Sequence, residues 1–373
     1  MKHKTLFLML TAALMLSACG AIPGGEPAGA QDQPAVITEA AATAISQPEP
    51  SAAPPSPAAP STGKPGSPCG NGVCNGPENA QNCPADCSSS ASTPPGNPAG
   101  APGGASQAGG TEYAVTNPAS GASLYVAAFF PASWDGQTQL PALVLVPGGS
   151  GNSGGFLKQN PAGQSTVSTI TDAGMVAIVF DPDGRGQSTG AEDYNGFIHQ
   201  DGLAEVIRFA STLPGIDPAK IGMVTNSYGI TMGAGALARY PDLPVKFLID
   251  WEGPANRLDT GGCDGAGLGH LNTVASCTDE AFWAEREAST FISQIRVPYQ
   301  RIQSEQDHVQ PDYAHTVLMI NNAVNGGVPW VRLNNETPNQ TYDLNALPAM
   351  LPESMDKQKD QMIVQYAQEL FSR

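Results

Sequence analysis

The fold is decided by the stretch Lys220-Ile-Gly-Met-Val-Thr-Asn-Ser-Tyr-Gly-Ile-Thr-Met-Gly-Ala-Gly-Ala-Leu-Ala238. Its apolar first part, residues 221–224, stops abruptly, and a segment of small, helix-compatible residues follows the turn. A strand, a sharp turn and a helix in this order, with Ser227 at the apex, lift a serine hydroxyl above the edge of a sheet. The free N–H groups and the positive dipole end of that helix would face an anion formed there. The stretch therefore predicts a nucleophilic serine.

Short apolar segments alternate with helical patterns through residues 112–373. The predicted strands are 123–130, 142–146, 175–180, 221–224, 245–249, 299–302 and 330–333. Helical patterns follow a cap at Asp201 and the turn at Gly229, and a third forms the stripe Met362, Tyr366 and Leu370. This alternation predicts an α/β domain whose mostly parallel sheet is flanked by helices on both faces. In such a sheet the functional groups gather at the carboxyl ends of the strands.

The charge of the chain limits the classes of partner. Its formal net charge is −17, from 34 acidic and 17 basic residues. Nucleic acids and anionic membrane surfaces attract basic proteins, so this charge argues against both as electrostatic partners. About 260 residues remain from Glu112 onward, which suits one large α/β domain. A small-molecule or peptide substrate is the partner expected from the predicted nucleophilic serine, and the charge does not by itself identify it.

The first 19 residues have the pattern of an export signal. Lys2 and Lys4 give a basic start, and residues 6–16 form an apolar core too short to span a membrane. Leu-Ser-Ala-Cys, ending at Cys19, resembles the lipobox of bacterial lipoproteins. The resemblance implies that Cys19 is lipidated, which predicts an extracytoplasmic protein anchored to a membrane, at the cell surface or in a periplasm.

Residues 20–66 and 89–111 are rich in Pro, Ala, Gly and Ser. Such segments bury too little apolar surface to offset their ordering entropy, so we expect a disordered tether and a linker. Between them, residues 67–88 form a module that resembles small Cys-rich repeats of exported bacterial proteins. Its cysteines are Cys69, Cys74, Cys83 and Cys87. An even number of cysteines in an exported chain favours disulfides over metal thiolates, and these four permit three pairings.

The same module offers oxygen ligands for Ca²⁺, from Asn71, Asn75, Glu78 and Asp86. A two-disulfide knot without a metal is the equal alternative. We expect no other cofactor and no metal in the catalytic chemistry.

The turn at Ser227 resembles the nucleophile elbow of the α/β-hydrolase superfamily, and the resemblance covers residues 112–373. Thr-Asn-Ser-Tyr-Gly matches G-x-S-x-G, except that Thr225 replaces the first glycine. The resemblance implies that Ser227 is the nucleophile and that the Tyr228 N–H is one oxyanion donor. It places Gly149, in a Pro-Gly-Gly-Ser loop, as the second donor. Residues 181–188 are similar to a turn of dienelactone-hydrolase-like and X-prolyl-peptidase-like members.

The histidine of the superfamily is missing from its usual place. The family's acid follows the strand that Asp307 follows here, so the resemblance assigns the acid role to Asp307. The family's histidine comes after the last strand, but no histidine lies beyond His315. A serine without a nearby imidazole lacks a general base of suitable pKa and is a weak nucleophile.

Three histidines could fill this gap. We assign the base to His308, with Asp250 or Glu252 from the adjacent strand end as its orienting acid. His199, before the predicted cap of a helix, and His270, in a glycine-rich loop, are the alternatives. His315 is expected to be structural.

A small cap insertion is expected at about residues 253–296, because this region lacks a strand pattern. Cys263 and Cys277 bracket its glycine-rich loop and are predicted to form a disulfide. Three aromatic residues could line an apolar site beneath it or pack in the core: Trp251, Phe282 and Trp283.

The sequence thus favours a secreted, membrane-anchored serine hydrolase of the esterase or peptidase type, acting through an acyl-Ser227 intermediate. One alternative is a hydrolase-shaped binding protein without turnover, because the family's histidine is missing. Another is a protein whose Cys-rich module carries the function, in calcium binding or adhesion.

Overall fold

The computed structural model describes residues 109–258, 263, 274–310, 312–352 and 358–373. The expected signal segment, tether and Cys-rich module lie outside the described residues, as do Cys19, the four module cysteines and His270. In the part of the chain that is described, no helix has the length and apolar character needed to cross a bilayer.

One eight-stranded sheet organises the domain. Its strands are β1 Thr111–Thr116, β2 Ser123–Phe129, β3 Leu140–Val146, β4 Val176–Phe180, β5 Ile216–Asn226, β6 Leu248–Trp251, β7 Tyr299–Ile302 and β8 Val331–Leu333. They lie in the order β1-β2-β4-β3-β5-β6-β7-β8. The β2 strand is antiparallel to β1 and β4, and the pairs from β4 to β8 are parallel. The predicted mostly parallel sheet is confirmed.

Helices cover both faces of this sheet. They are α1 Gly154–Leu157, α2 Thr166–Asp172, α3 Phe197–Ala210, α4 Gly229–Arg239, α5 Glu280–Ala284, α6 Ala288–Ile292, α7 Ala314–Asn325 and α8 Lys359–Phe371. Along β3, Ala142 and Val144 face one hydrophobic core while Leu143 and Leu145 face the other, as the two-residue period of a strand requires. The first core is closed by α3, α4, α6 and α7, and the second by α1, α2 and α8.

The β1 and β6 strands differ from the sequence prediction, and β5 begins at Ile216, five residues before the predicted start. The β1 strand was not predicted because Val115 is its only fully buried residue, so it lacks an apolar pattern. The β6 strand runs on through Asp250, where the predicted segment had already ended at residue 249. A buried charge is tolerated there because Asp250 is in register with Arg301 of β7 and forms an ion pair with it at 2.6 Å.

The predicted helix cap at Asp201 is wrong. The α3 helix begins at Phe197, after Gly196, so Asp201 lies in its second turn. Its carboxylate accepts a hydrogen bond from the Tyr240 hydroxyl at 2.7 Å and pairs with Arg239 at 2.5 Å. Asp201 therefore ties α3 to the end of α4 and does not cap a helix.

The elbow tolerates Thr225 because the facing helix carries a glycine. Thr225 is completely buried, and its hydroxyl lies 3.3 Å from a carboxylate oxygen of Asp250. A Cβ atom added at Gly233 of α4 would lie 2.5 Å from the Thr225 methyl carbon. A β-branched side chain has little rotamer freedom with which to move away. The branched residue at the elbow and the glycine on α4 are thus a matched pair.

We expect Gly233→Ala to destabilise the domain by about 1–3 kcal/mol, because it overpacks this contact. In a Thr225→Ser background the methyl group is gone, and the same change becomes neutral or stabilising by up to about 1 kcal/mol through helix propensity. Urea unfolding of both single variants and the double variant measures the coupling. Simple additivity of the two changes would contradict the matched-pair explanation.

Candidate active site

Ser227 occupies a strained bend between β5 and α4. Its φ angle is +52°, in the left-handed region that residues with a side chain rarely adopt. The bend is fixed from both sides, since the Ser227 N–H donates to the Trp251 carbonyl at 2.9 Å and the Ile230 N–H donates to the Ser227 carbonyl at 3.1 Å. The side chain remains partly exposed at the carboxyl edge of the sheet.

His308 lies directly against the serine. Its loop follows β7, and its Nε2 atom is 2.8 Å from the Ser227 Oγ atom. The imidazole stacks on the indole of Trp251, with ring centres 4.5 Å apart and planes 20° apart. The two contacts fix both the position and the plane of the ring, so the assigned base and the assigned nucleophile are brought together.

Glu252 is the carboxylate that holds the other side of the imidazole. One of its oxygens lies 2.8 Å from His308 Nδ1 and also accepts the His308 backbone N–H at 3.3 Å. The other oxygen accepts the backbone N–H of Ser304 at 3.1 Å and the Ser304 hydroxyl. A carboxylate can only accept, so the proton of the neutral imidazole belongs on Nδ1, which leaves Nε2 to accept the serine proton. Glu252 is fully buried, and its φ angle is +47°.

Asp307, the acid assigned from the resemblance, lies farther from the imidazole, at 3.5 Å from Nδ1. Its carboxylate instead accepts hydrogen bonds from the Gln303 amide at 2.9 Å and from two backbone N–H groups of its own loop at 2.8 Å. Burial alone would raise the pKa of Asp307. The nearby His315 imidazole and the hydrogen bond from Gln303 outweigh it and hold the pKa well below its ordinary value. Asp307 is therefore a charged group that shapes the His308 loop.

Asp250, the other orienting acid considered for His308, is engaged elsewhere. It pairs with Arg301 at 2.6 Å and accepts the Tyr299 hydroxyl at 2.9 Å, with all three side chains buried. Arg301 also reaches His315, whose Nδ1 is 3.1 Å away. His315 lies 3.4 Å from Asp307 on its other side. It is completely buried and structural, in agreement with the expectation.

Asn334 directly follows β8, where the resemblance had led us to expect a histidine. It is buried, with a φ angle of +48°. Its side-chain amide accepts the Gln303 N–H at 2.9 Å and donates to the Gln303 carbonyl at 3.0 Å. The residue therefore fastens the end of β7, from which the His308 loop departs. Asn334 thus supports the loop that carries His308, the histidine assigned as base from the sequence.

The two backbone amides expected as oxyanion donors, the Tyr228 N–H and the Gly149 N–H, have no acceptor among the described residues. Gly148 packs so closely on the elbow that an added Cβ atom would lie 2.9 Å from the Ser227 Cβ atom. Gly149, with φ +52°, is held by Asn195, whose side-chain amide donates to the Gly149 carbonyl at 3.2 Å. The loop expected to supply the second donor thus lies against the nucleophile.

His199 is not part of this group. It is buried in α3, where its ring accepts the Asn195 N–H at 3.0 Å and contacts the Asp183 carbonyl at 3.0 Å. Burial lowers the pKa of His199 from 6.5 to about 4, and the Arg185 guanidinium acts in the same direction. His199 is therefore a neutral structural histidine at ordinary pH.

The cap is closed by a disulfide, and the aromatic residues expected near it differ in role: one packs in the interior and one lines a cleft. The predicted disulfide between Cys263 and Cys277 is present, with Cα atoms 5.5 Å apart. Trp283 is fully buried against Tyr228, and its indole N–H donates to the Ser276 carbonyl at 2.9 Å. Trp283 thus supports the residue after the nucleophile, whereas Trp251 lines a cleft beside it.

The group Glu252, Asp307 and His308 also has the spacing of a metal site, since one ligand atom from each lies within 4.8 Å of the others. Two of these residues already face each other in a 2.8 Å hydrogen bond, and the remaining imidazole nitrogen faces Ser227. Hydrogen bonding alone therefore accounts for the arrangement.

No family model matches the chain, and no curated protein matches it by sequence. Among solved structures it is similar to a candidate dipeptidyl aminopeptidase IV from Bacteroides ovatus, with a TM-score of 0.53 and 15% identity, over 69% of this chain and 35% of that one. An acylaminoacyl peptidase from Pyrococcus horikoshii gives a TM-score of 0.50 and 15% identity, over 71% and 41%. The chain thus spans well under half the length of either. Such a likeness shows the fold alone, which is the α/β-hydrolase fold that the sequence predicted.

Because of His199, we expect the free energy of unfolding to decrease as the pH is lowered from about 6.5 to about 4. The unfolded chain takes up the proton near the ordinary pKa of about 6.5, whereas the folded protein resists it to about 4. The stabilisation is therefore complete above this window and is lost through it, by roughly 3 kcal/mol. Urea unfolding at several pH values should give a flatter profile for His199→Gln than for the wild type. Parallel profiles would contradict this role.

Proposed function

We propose that this protein is a serine hydrolase that cleaves an ester or peptide bond through an acyl-Ser227 intermediate. One observation carries the proposal: the hydrogen-bonded line from Glu252 through His308 to the Ser227 hydroxyl, with both contacts at 2.8 Å. An acid, an imidazole and a hydroxyl in this order are what nucleophilic acyl transfer needs, whatever their order along the chain.

The proposed reaction begins when the Ser227 oxygen attacks the substrate carbonyl while its proton passes to His308 Nε2. The imidazolium formed is stabilised by the Glu252 carboxylate through the Nδ1–H bond. The carbonyl oxygen becomes an oxyanion facing the Tyr228 and Gly149 amides. When it collapses, the bond to the leaving group breaks and His308 returns the proton to that group. Water then attacks the acyl-serine by the same proton transfers and releases the acid and the free hydroxyl.

The strand order makes this shifted arrangement workable. Ser227 follows β5, Glu252 follows β6 and His308 follows β7, and these three strands are neighbours in the sheet. In the superfamily's usual plan the acid and the histidine come one strand later. Moving both back by one strand keeps them adjacent to each other and brings the acid onto the strand next to the nucleophile.

The alternative of a binding protein without turnover rested on the missing imidazole. His308 at hydrogen-bond distance from Ser227 removes that motive.

We further propose that the enzyme acts outside the cytoplasm, held by a lipid on Cys19 and by the proline-rich tether of residues 20–66. The support for this setting is the sequence pattern of the first 19 residues together with the disulfide in the cap.

We expect a fluorophosphonate probe to label the wild-type protein and to leave Ser227→Ala unlabelled, because the probe forms a bond only with an activated serine hydroxyl. Mass spectrometry of the labelled protein locates the adduct. Ser304→Ala tests a second hydroxyl of the same cluster and should remain labelled. An adduct on another residue, or no adduct on folded protein, would refute the proposal.

The catalytic rate constant kcat should distinguish the role of the Glu252 carboxylate from that of Asp307. Glu252→Gln removes the negative charge and one of the two acceptor oxygens that hold His308 and Ser304, and is expected to lower kcat by about 10³–10⁴-fold. Asp307→Asn keeps most of the hydrogen bonds in its loop and should cost less than about tenfold. Circular dichroism under the assay conditions checks that both variants are folded before their kcat values are compared. A larger loss in Asp307→Asn than in Glu252→Gln would return the acid role to Asp307.

A further inference from the structure

A cleft of about 450 Å³ opens beside the elbow. Its near wall is formed by Gly148, Asn226 and Trp251. All three belong to the catalytic surroundings: Asn226 precedes Ser227, Gly148 packs on it, and Trp251 stacks on His308. The volume lies within the range of small-ligand sites. A group bound in this cleft would therefore be continuous with a carbonyl presented to Ser227.

The far wall carries one charged side chain. Among the described lining residues, the Lys359 ammonium is the single ionic group, and no carboxylate lines the cleft. Lys359 lies at the start of α8, partly exposed, with its Nζ atom 5.4 Å from the centre of the Trp251 ring. The chain as a whole is acidic, with a net charge of −17, but the one ionic group that lines this cleft is a cation.

Asp360 holds this ammonium group in place but uses only one of its N–H donors. Its carboxylate oxygen lies 2.8 Å from Lys359 Nζ and also accepts the Thr166 hydroxyl at 2.9 Å. An ammonium group has three N–H donors, so two remain available for a ligand. The Asp360 contact thus serves to orient Lys359 on the wall that Thr166 shares.

Asn152 adds a neutral donor to the same wall. Its side-chain oxygen accepts the Gly154 N–H at 2.9 Å, which turns the NH₂ end of the amide away from the backbone. Within the described residues that NH₂ group has no partner. An ammonium and an amide NH₂ both donate, and neither accepts through these atoms. The complementary ligand is an acceptor with negative charge, and a carboxylate fits this description.

We propose that the cleft binds a carboxylate on the substrate, so that the enzyme prefers esters or amides that carry a free carboxylate group over neutral ones. The proposal rests on the proposed function and names its substrate class. Lys359 and Asn152 are its specificity-determining residues. The aromatic ring of Trp251 and that of Phe156 flank the apolar part of the ligand between the carboxylate and the reacting carbonyl.

The test compares two esters that differ at one end. Mono-4-nitrophenyl adipate ends in a carboxylate, and 4-nitrophenyl hexanoate has a methyl group at that place. The measured quantity is the ratio of their kcat/KM values for the full chain. We expect Lys359→Met to lower the adipate-to-hexanoate ratio about five- to tenfold, because it removes a charge-assisted contact at a partly exposed site. High salt should lower the wild-type ratio in the same direction.

Lys246→Met is the matched control, since Lys246 is an exposed lysine that does not line the cleft. It should keep the wild-type ratio, which excludes an effect of net charge alone. Lys359→Glu should lower the ratio further than Lys359→Met, because it reverses the charge. A ratio unchanged in both Lys359 variants would overturn the proposal, as would an equal fall in the Lys246 variant.

Binding to Ser227→Ala separates this proposal from the proposed function. Equilibrium dialysis of the two esters against this variant needs no turnover. Tighter binding of the adipate ester, lost on adding Lys359→Met, would support the carboxylate site even if the wild type hydrolysed neither ester. In that case the hydrolase proposal alone would fail. Equal binding of both esters would overturn the carboxylate site whether or not hydrolysis occurs.

Discussion

The arrangement depends on one hydrogen bond, between the Glu252 carboxylate and Nδ1 of His308. This bond places the proton of the neutral imidazole on Nδ1, and it directs the unprotonated Nε2 to the Ser227 hydroxyl. Without it, His308 is a histidine on an exposed loop, free to turn over its ring. The stacking of the imidazole on Trp251 then fixes the plane in which that bond can form.

The sheet makes this bond possible at a cost in backbone strain. Both Ser227 and Glu252 have positive φ angles, and a residue with a side chain pays of order 1–3 kcal/mol for such a conformation. Packing beneath the bends holds them in place. The Ser227 N–H bonds to Trp251, the Glu252 N–H bonds to Ile302, and the buried pair of Asp250 and Arg301 joins the strands below. Two of the strained positions thus carry the side chains that flank the His308 imidazole, Ser227 on one side and Glu252 on the other.

Much of the fold could be predicted from the sequence because its signals are local. The bend at Ser227, the apolar strands and the small residues of α4 each depend on a few adjacent residues. The continuation of β6 through Asp250 and the role of Asp201 could not be predicted, since each depends on a partner distant in the chain, Arg301 for the first and Tyr240 for the second. The same applies to Thr225, whose tolerance depends on Gly233.

In the candidate site, too, some features could be predicted from adjacent residues and others depend on partners distant in the chain. His308 could be singled out because few histidines lie near a strand end, and Glu252 was one of two acids considered for it. Its preference over Asp307 rests on a difference between 2.8 and 3.5 Å, which no sequence pattern records. The most direct measurement is the proton NMR signal of His308 Nδ1–H, which a strong hydrogen bond to a carboxylate shifts far downfield. We predict that this signal is present in the wild type, persists in Asp307→Asn and disappears in Glu252→Gln. A signal that persists in Glu252→Gln and disappears in Asp307→Asn would contradict the account.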